Sequence, residues 1–220
     1  MAEVNLLRRY PKAKRNVEKR ATDKTDDQIR LSREYGFDYF DGPREVGYGG
    51  YRYDGRWIPI AEDIIAHFEL KPGMRILDIG CAKGFLVKDL MQVCPGLEVF
   101  GLDISDYALK HCEPEVIGRL HLGSAESLPF PDNSFDAVLS INTIHNLHRA
   151  ECLCAIREMQ RVAKMGRGYI QVDSYRTAEE RDLFLSWGLT AHTHDFPDGW
   201  REIFDEADYT GDYYWTFITE

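Results

Sequence analysis

The sequence predicts an α/β fold, a three-layer sandwich in which helices cover both faces of a mostly parallel sheet. From residue 74 onward, short apolar segments of strand length alternate with amphipathic segments of helix length. This alternation is typical of parallel strands joined by helical crossovers. The chain has 220 residues, of which 44% are hydrophobic and 29% are charged. Such a composition supplies enough apolar material for one core.

The predicted elements follow in order along the chain. The N-terminal region, 1–34, reads as helical and polar, and Thr25 is a candidate N-cap for a helix that ends near residue 34. The strands of the sheet are predicted at 75–79, 98–103, 120–123, 135–141 and 168–173 and within 212–219, with 189–194 as a further candidate. The later helices are predicted at 59–70, 85–93, 105–112, 149–163, 178–187 and 200–207.

Residues 36–57 differ from the rest of the chain because they are rich in glycine and aromatic residues and have neither a helical nor a strand period. A segment of this kind is predicted to be a functional loop or a lid. We therefore divide the chain into an N-terminal arm and lid, 1–57, and a ligand-binding domain, 58–220.

Charge and composition exclude several classes of protein. The net charge is −10, yet residues 1–33 carry ten basic and five acidic side chains. We expect this basic arm to dock on the acidic body rather than bind nucleic acid. No apolar run is long enough to span a bilayer, and the charged N-terminus is unlike a signal peptide, so we expect a cytoplasmic protein. Five cysteines without a C-x-x-C pair argue against a disulfide framework, and no metal site is expected.

The most informative segment runs from a predicted strand through Asp78 and Gly80 to Gly84. A strand that enters a glycine turn and opens a helix directs backbone N–H groups toward a ligand. Asp103 ends the next strand, where a carboxylate accepts hydrogen bonds from ribose hydroxyls. Asp78 would repel a pyrophosphate but would suit an ammonium or sulfonium group.

The combination of D-I-G-C-A-K-G, L-D-I-S and L-P-F-P-D-N-S-F-D-A-V resembles the class I S-adenosylmethionine-dependent methyltransferases, which have a Rossmann-like fold. The resemblance covers roughly residues 74–172 and implies S-adenosylmethionine as the cofactor of the 58–220 domain. Ser124 departs from the family, in which an Asp is common at this position. The residues that the resemblance assigns to the cofactor are Asp78, Gly80, Cys81, Gly84, Asp103, Ile104, Ser124, Ala125, Glu126 and Asn142.

Candidate catalytic residues follow two of the predicted strands, because ligands of open parallel sheets bind at the carboxyl ends of the strands. Asn142 can orient an amine or a hydroxyl, and His145 can accept a proton near neutral pH. Tyr175 can place its ring or hydroxyl against the sulfonium, and Arg176 can bind a carboxylate. A structural role is an equally good interpretation of His145, Tyr175 and Arg176.

The lid segment supplies a second set of candidates, with rings for a cation and a guanidinium group for a carboxylate. The alternative is that these aromatic residues only fix the arm to the body. Lys83 is expected to be solvated. The substrate and lid candidates are Tyr48, Tyr51, Tyr53, Arg56 and Trp57, together with Arg176.

The sequence leaves three functions open. The leading hypothesis is methyl transfer to an O or N nucleophile of a small metabolite, in a small pocket built largely from residues 1–57. The second is cyclisation of the cofactor to azetidine-2-carboxylate with release of methylthioadenosine, which is expected where no room remains for an acceptor. The third is a non-catalytic, cofactor-binding regulatory subunit. The expected partner is a small molecule, with no nucleic acid and no membrane, and the oligomeric state is left open.

Overall fold

The computed structural model describes residues 1–11 and 24–218, so the predictions for the arm between 12 and 23 lie outside the described residues. Within these described ranges, six parallel strands form one sheet in the order β3-β2-β1-β4-β5-β6. The α/β prediction is therefore confirmed, although the segment 189–194 forms no strand. The strands are β1 (Arg75–Ile79), β2 (Glu98–Asp103), β3 (Leu120–Leu122), β4 (Ala137–Ile141), β5 (Gly168–Ser174) and β6 (Asp212–Phe217).

The helices begin and end within a few residues of the predicted bounds. An additional single helical turn, α2, lies within the segment that was predicted to be a loop. Within the described residues, no helix is both long and apolar enough to cross a membrane. The described α-helices are α1 (Asp26–Arg33), α2 (Phe37–Phe40), α3 (Ile58–His67), α4 (Phe85–Val93), α5 (Asp106–Lys110), α6 (Arg149–Val162), α7 (Ala178–Trp187) and α8 (Pro197–Glu206).

The sheet is buried on both faces because alternate side chains of each strand point to opposite sides. Ile170 and Val172 of β5 pack in a cluster with residues of α6 and α8. Tyr169 of the same strand packs on the other face, in a cluster with residues of α3 and α4. Two-sided burial explains why the central strands read as nearly continuous apolar runs in the sequence.

The first residues of the chain are extended rather than helical, so the helical prediction for 1–34 is wrong at this point. The Val4 amide donates a hydrogen bond to the Tyr213 carbonyl at 2.8 Å, and the Tyr213 amide donates to the Ala2 carbonyl at 3.0 Å. The hydroxyl of Tyr169 donates to the Val4 carbonyl at 3.1 Å. These contacts hold the N-terminal segment beside the edge strand β6, a partner that local sequence patterns do not reveal.

The described part of the basic arm docks on α3. Arg8 and Arg9 each lie 2.9 Å from a carboxylate oxygen of Asp63, and Arg9 also lies 2.9 Å from Glu62. The positive charge of this part of the arm is thereby directed at the protein's own acidic groups.

Candidate functional site

A cavity of about 680 Å³ lies at the carboxyl ends of the strands, a volume typical of small-molecule sites. One part, which we call the β1–β3 half, is lined by residues at or just after the ends of β1, β2 and β3. The other, the β4–β6 half, is lined by residues at or just after the ends of β4, β5 and β6. Residues of the N-terminal arm and of the segment 35–57 complete the lining.

Gly80 makes the tight turn between β1 and α4. Its φ is +81°, a conformation that side chains disfavour. A Cβ at this position would lie 1.9 Å from Oγ1 of Thr143, so both the backbone and the close approach require glycine. Gly84, with a φ of +77°, precedes α4 but does not line the cavity. A Cβ at this position would lie 2.9 Å from Cγ2 of Val116.

The carboxylate of Asp103 is fixed by two backbone amides in the β1–β3 half. The amide of Ala82 donates to Oδ2 at 2.7 Å, and the amide of Ser105 donates to Oδ1 at 2.8 Å. Burial raises the pKa of Asp103, and these hydrogen bonds oppose that rise. Each carboxylate oxygen keeps a further lone pair, so the group is oriented to accept hydrogen bonds from two hydroxyls of a ligand.

Asp78 is a second acid of the β1–β3 half and is only 4% exposed. Within the described part of the chain, its carboxylate has no hydrogen bond or ion pair. Burial and the nearby charge of Asp103 raise the pKa of Asp78 to about 7. A cation bound in the cavity would favour the charged form of this carboxylate.

The other cofactor candidates divide between the cavity and its surroundings. Cys81, Ile104, Ser124 and Ala125 line the β1–β3 half. Glu126 does not, because its carboxylate accepts a hydrogen bond from the Ser124 hydroxyl at 2.9 Å on the exposed side of the turn.

Aromatic rings of the lid segment face the cavity. Tyr48 and Tyr51 line it with their ring centroids 4.4 Å apart, and Tyr51 stacks on Phe85 of α4 at 4.6 Å. Trp57 also lines the cavity, with its ring 4.8 Å from that of Tyr10. The electron-rich faces of such rings attract a cation.

Tyr53 and Arg56 of the same segment lie outside the cavity lining. The hydroxyl of Tyr53 donates to Asp89 at 2.6 Å, and Arg56 pairs with Asp54 at 2.6 Å. Both side chains are thus held by neighbouring carboxylates.

Lys83 is buried, contrary to the expectation that it is solvated. Its ammonium group lies 2.6 Å from the carboxylate of Asp41 in the lid segment and donates to the Tyr51 carbonyl at 3.0 Å. The contact between Lys83 and Asp41 could not be predicted from the local sequence, because Asp41 lies 42 residues earlier in the chain.

Asn142 lines the cavity just after β4, whereas two other catalytic candidates do not. His145 is buried, burial lowers its pKa, and its Nδ1 accepts a hydrogen bond from the Asp173 amide at 3.2 Å. Tyr175 is 3% exposed and packs against Phe184. Its hydroxyl lies 3.0 Å from Nδ1 of His194. The side chains of His145 and Tyr175 are therefore packed inside the protein and do not face the cavity.

Arg176 does line the cavity, but its guanidinium group is bound to Glu180, with Nε 3.0 Å from Oε1. Among the described residues, no group of three His, Cys, Asp or Glu side chains is arranged to hold a metal ion.

Sequence reasoning missed much of the β4–β6 half. Gln171 and Asp173 of β5 and Thr216 of β6 line the cavity. The signal for them was available in part, because residues 171 and 173 share one face of a strand. The position of β6 beside β5 depends on long-range pairing that no local pattern specifies.

Comparison with known proteins gives consistent matches. A family profile described as "Methyltransferase domain" matches residues 77–170. The chain is 34% identical over 150 residues to the demethylmenaquinone methyltransferase of Symbiobacterium thermophilum, covering 64% of this chain and 58% of that protein. It is 31% identical over 173 residues to the sterol 24-C-methyltransferase ERG6B of Gibberella zeae, covering 70% of this chain and 44% of that protein. The chain therefore spans about half the length of these curated relatives.

The fold also has a solved counterpart. The crystal structure of the YcgJ protein from Bacillus subtilis matches with a TM-score of 0.56 at 23% identity. The match covers 67% of this chain and 66% of that one, and it shows that the two share a fold.

Proposed function

Because this chain belongs to the class I S-adenosylmethionine-dependent methyltransferase family, we propose that it transfers a methyl group from S-adenosylmethionine to an O or N nucleophile of a small molecule. The observation that carries this proposal is the continuity of the cavity. Its β1–β3 half has the acids and the glycine turn that suit the cofactor, and its β4–β6 half lies beyond them in the same space.

The residues of the β1–β3 half fit S-adenosylmethionine by the chemistry of their side chains. The unpaired carboxylate of Asp78 would bind the ammonium group, and the oriented carboxylate of Asp103 would bind the ribose hydroxyls. Ile104 would contact the adenine, and the hydroxyl of Ser124 would lie at its edge. When bound, the cofactor would supply an electrophilic methyl group, because its sulfonium sulfur departs as the neutral thioether of S-adenosylhomocysteine.

Side chains of this protein would orient the acceptor and exclude water from the site. Asn142, at the junction of the two halves, would orient the nucleophile of the acceptor. The rings of Tyr48, Tyr51 and Trp57 would exclude water and face the positive charge. Alignment of the reactants in a closed site accounts for most of the rate acceleration expected of such a reaction.

The β4–β6 half favours an intermolecular reaction over cyclisation of the cofactor, because it offers space for a second molecule. A small acceptor is also in keeping with the names of the relatives, which act on a demethylated menaquinone and a sterol. Nucleic acid is a poorer fit, since Arg8 and Arg9 are paired with carboxylates of α3.

The test is to incubate the protein with S-adenosylmethionine alone and with fractions of a small-metabolite extract, and to measure both nucleoside products. We expect S-adenosylhomocysteine only when an acceptor fraction is present. Methylthioadenosine from the cofactor alone would overturn the proposal in favour of cyclisation, and binding without either product would indicate a non-catalytic subunit. Asp103→Asn should abolish the reaction, and Tyr175→Phe, outside the cavity, is the matched control.

A further inference from the structure

Four side chains of β5 and β6 face the β4–β6 half together. Gln171 stands opposite Tyr214 in the parallel register, and Asp173 stands opposite Thr216. All four line the cavity. Val172, between the two β5 residues, points to the opposite face and is buried in the core, as the alternation of a strand requires. The register therefore builds one continuous wall at this end of the site.

The β4–β6 half contains three side chains with acceptors that lack a donor in the described part of the chain, and Asp173 among them is only part-buried. The carboxylate of Asp173 has no hydrogen bond or ion pair within the described residues. Gln171 is 1% exposed, and its Nε2 donates to the Thr216 hydroxyl at 2.8 Å, which leaves Oε1 without a partner. The Oδ1 atom of Asn146, another lining residue, is also buried without a partner. The amide oxygens of Gln171 and Asn146 are fully buried, so the carboxylate of the part-buried Asp173 is the acceptor that a ligand can reach, and a donor from the ligand would offset its partial desolvation.

Among the described residues, the basic side chains that line this half do not pair with Asp173. Arg176 is bound to Glu180 through Nε at 3.0 Å, and Arg8 is paired with Asp63 at 2.9 Å. The charge of Asp173 is therefore available to a ligand. Asp78, on the other side of the cavity, is already assigned to the ammonium group of the cofactor.

We propose that the methyl acceptor carries a protonated amine, which the carboxylate of Asp173 binds in the β4–β6 half. This inference rests on the proposed methyl transfer and specifies the class of its substrate. The apolar body of such an acceptor would pack on Leu147, Tyr214 and Phe217, which line the same half. A cation and an apolar body together satisfy both the unpaired carboxylate and the surrounding surface.

Three probes with the same ring test the inference by calorimetry on protein saturated with S-adenosylhomocysteine. They are tyramine, which has the amine; 4-ethylphenol, which lacks it; and 3-(4-hydroxyphenyl)propionate, which has the opposite charge. A charge-assisted hydrogen bond in a half-buried site predicts that tyramine binds about ten-fold or more tightly than 4-ethylphenol. In Asp173→Asn this preference should fall to about two-fold or less, with the affinity for S-adenosylhomocysteine unchanged.

The control is Asp182→Asn, which removes an exposed carboxylate of α7 and should leave the preference for tyramine intact. Three outcomes would each overturn the inference. They are binding of 4-ethylphenol or of 3-(4-hydroxyphenyl)propionate that is as tight as that of tyramine or tighter, no binding of tyramine, and a preference for tyramine that survives in Asp173→Asn. Those outcomes are distinct from failure of the proposed function, which would show as no binding of S-adenosylhomocysteine or no methyl transfer to any acceptor.

Discussion

The ammonium group of Lys83 lies 2.6 Å from the carboxylate of Asp41 and joins the glycine turn between β1 and α4 to the lid segment. Burial raises the pKa of Asp41, but hydrogen bonds from Lys83 and from the Tyr107 hydroxyl outweigh it and hold that pKa below its usual value. Because the same ammonium group donates to the Tyr51 carbonyl, one side chain fixes both an acid and the backbone of the lid. The position of the cavity-lining rings of the lid segment therefore depends on the glycine turn between β1 and α4.

Lys83→Met should lower the affinity for S-adenosylhomocysteine by about ten-fold and the free energy of unfolding by about 1–3 kcal/mol, since it leaves a largely buried carboxylate without its cation. Asp41→Asn should have a similar effect. The double variant should lose less unfolding free energy and less affinity than the sum of the losses in the two single variants. Calorimetry and urea unfolding measure these quantities.

The control is Lys110→Met, which breaks the exposed pair with Asp106. Its free energy of unfolding should change by no more than about 0.5 kcal/mol. Equal effects of Lys83→Met and Lys110→Met would contradict the coupling.

Asp78 should make cofactor binding depend on pH. Its pKa of about 7 in the free protein means that the carboxylate is mostly protonated in weak acid, whereas the proposed contact with the ammonium group of the cofactor requires the charged form. Affinity for S-adenosylhomocysteine should therefore be high at about pH 7.5 and fall by up to about ten-fold per pH unit below about pH 6.5. Calorimetry across this range measures the change. Asp78→Asn should bind weakly at every pH and show a flat profile, and a steep profile in that variant would assign the titration to another group.

The same shift predicts an effect on stability with a defined sign. Asp78 has a raised pKa in the folded state, so between about pH 4, where the unfolded carboxyl titrates, and about pH 7 the folded protein retains a proton that the unfolded chain has lost. Its contribution to stability is thus present in acid and is lost as the pH rises through this range. Without cofactor, Asp78→Asn should raise the melting temperature at about pH 8 and change it less at about pH 5. Thermal unfolding of both proteins at both pH values checks this, and an Asp78→Asn variant that melts below the wild type at about pH 8 would refute it.

The sheet could be predicted from the sequence because each strand carries its own signal. The apolar run of β1, the glycine turn and the acid at the end of β2 are local features, and the alternation of strands and helices then implies the layers. The N-terminal segment could not be predicted in the same way. Its residues 2–4 pair with β6, more than 200 residues later, so the contact that makes them extended is absent from the local pattern.

Only the part of the candidate site that belongs to a local sequence motif could be predicted. Asp78, Gly80 and Asp103 lie together because consecutive strands of the motif bring them to one edge. Tyr175 was a reasonable candidate since it follows β5, but its direction depends on packing against α7. The burial of Lys83 and the surroundings of Asp173 depend on contacts between distant parts of the chain, which only the assembled fold defines.

Asn142 and Tyr175 should differ sharply when they are replaced. Asn142 lines the cavity, so Asn142→Ala should lower kcat by about 10²-fold if it orients the nucleophile. Tyr175→Phe removes a hydroxyl that contacts His194 outside the cavity. It should change kcat and KM by less than about two-fold while lowering the free energy of unfolding by about 0.5–1.5 kcal/mol. Steady-state kinetics with an identified acceptor, together with urea unfolding, separate the two roles. A large loss of kcat in Tyr175→Phe would instead indicate that Tyr175 takes part in catalysis.

Gly80 should resist substitution for two reasons that a second glycine can separate. Gly73 has a φ of +84°, close to the +81° of Gly80, but a Cβ at Gly73 would meet nothing within 4 Å. Gly73→Ala should therefore lose only the cost of the left-handed backbone, about 1–2 kcal/mol of unfolding free energy. Gly80→Ala adds the clash with Oγ1 of Thr143 at 1.9 Å and should lose about 1–3 kcal/mol more, together with cofactor affinity. Equal losses in the two variants, measured by urea unfolding, would show that Thr143 moves aside freely and that backbone conformation alone requires glycine in the turn.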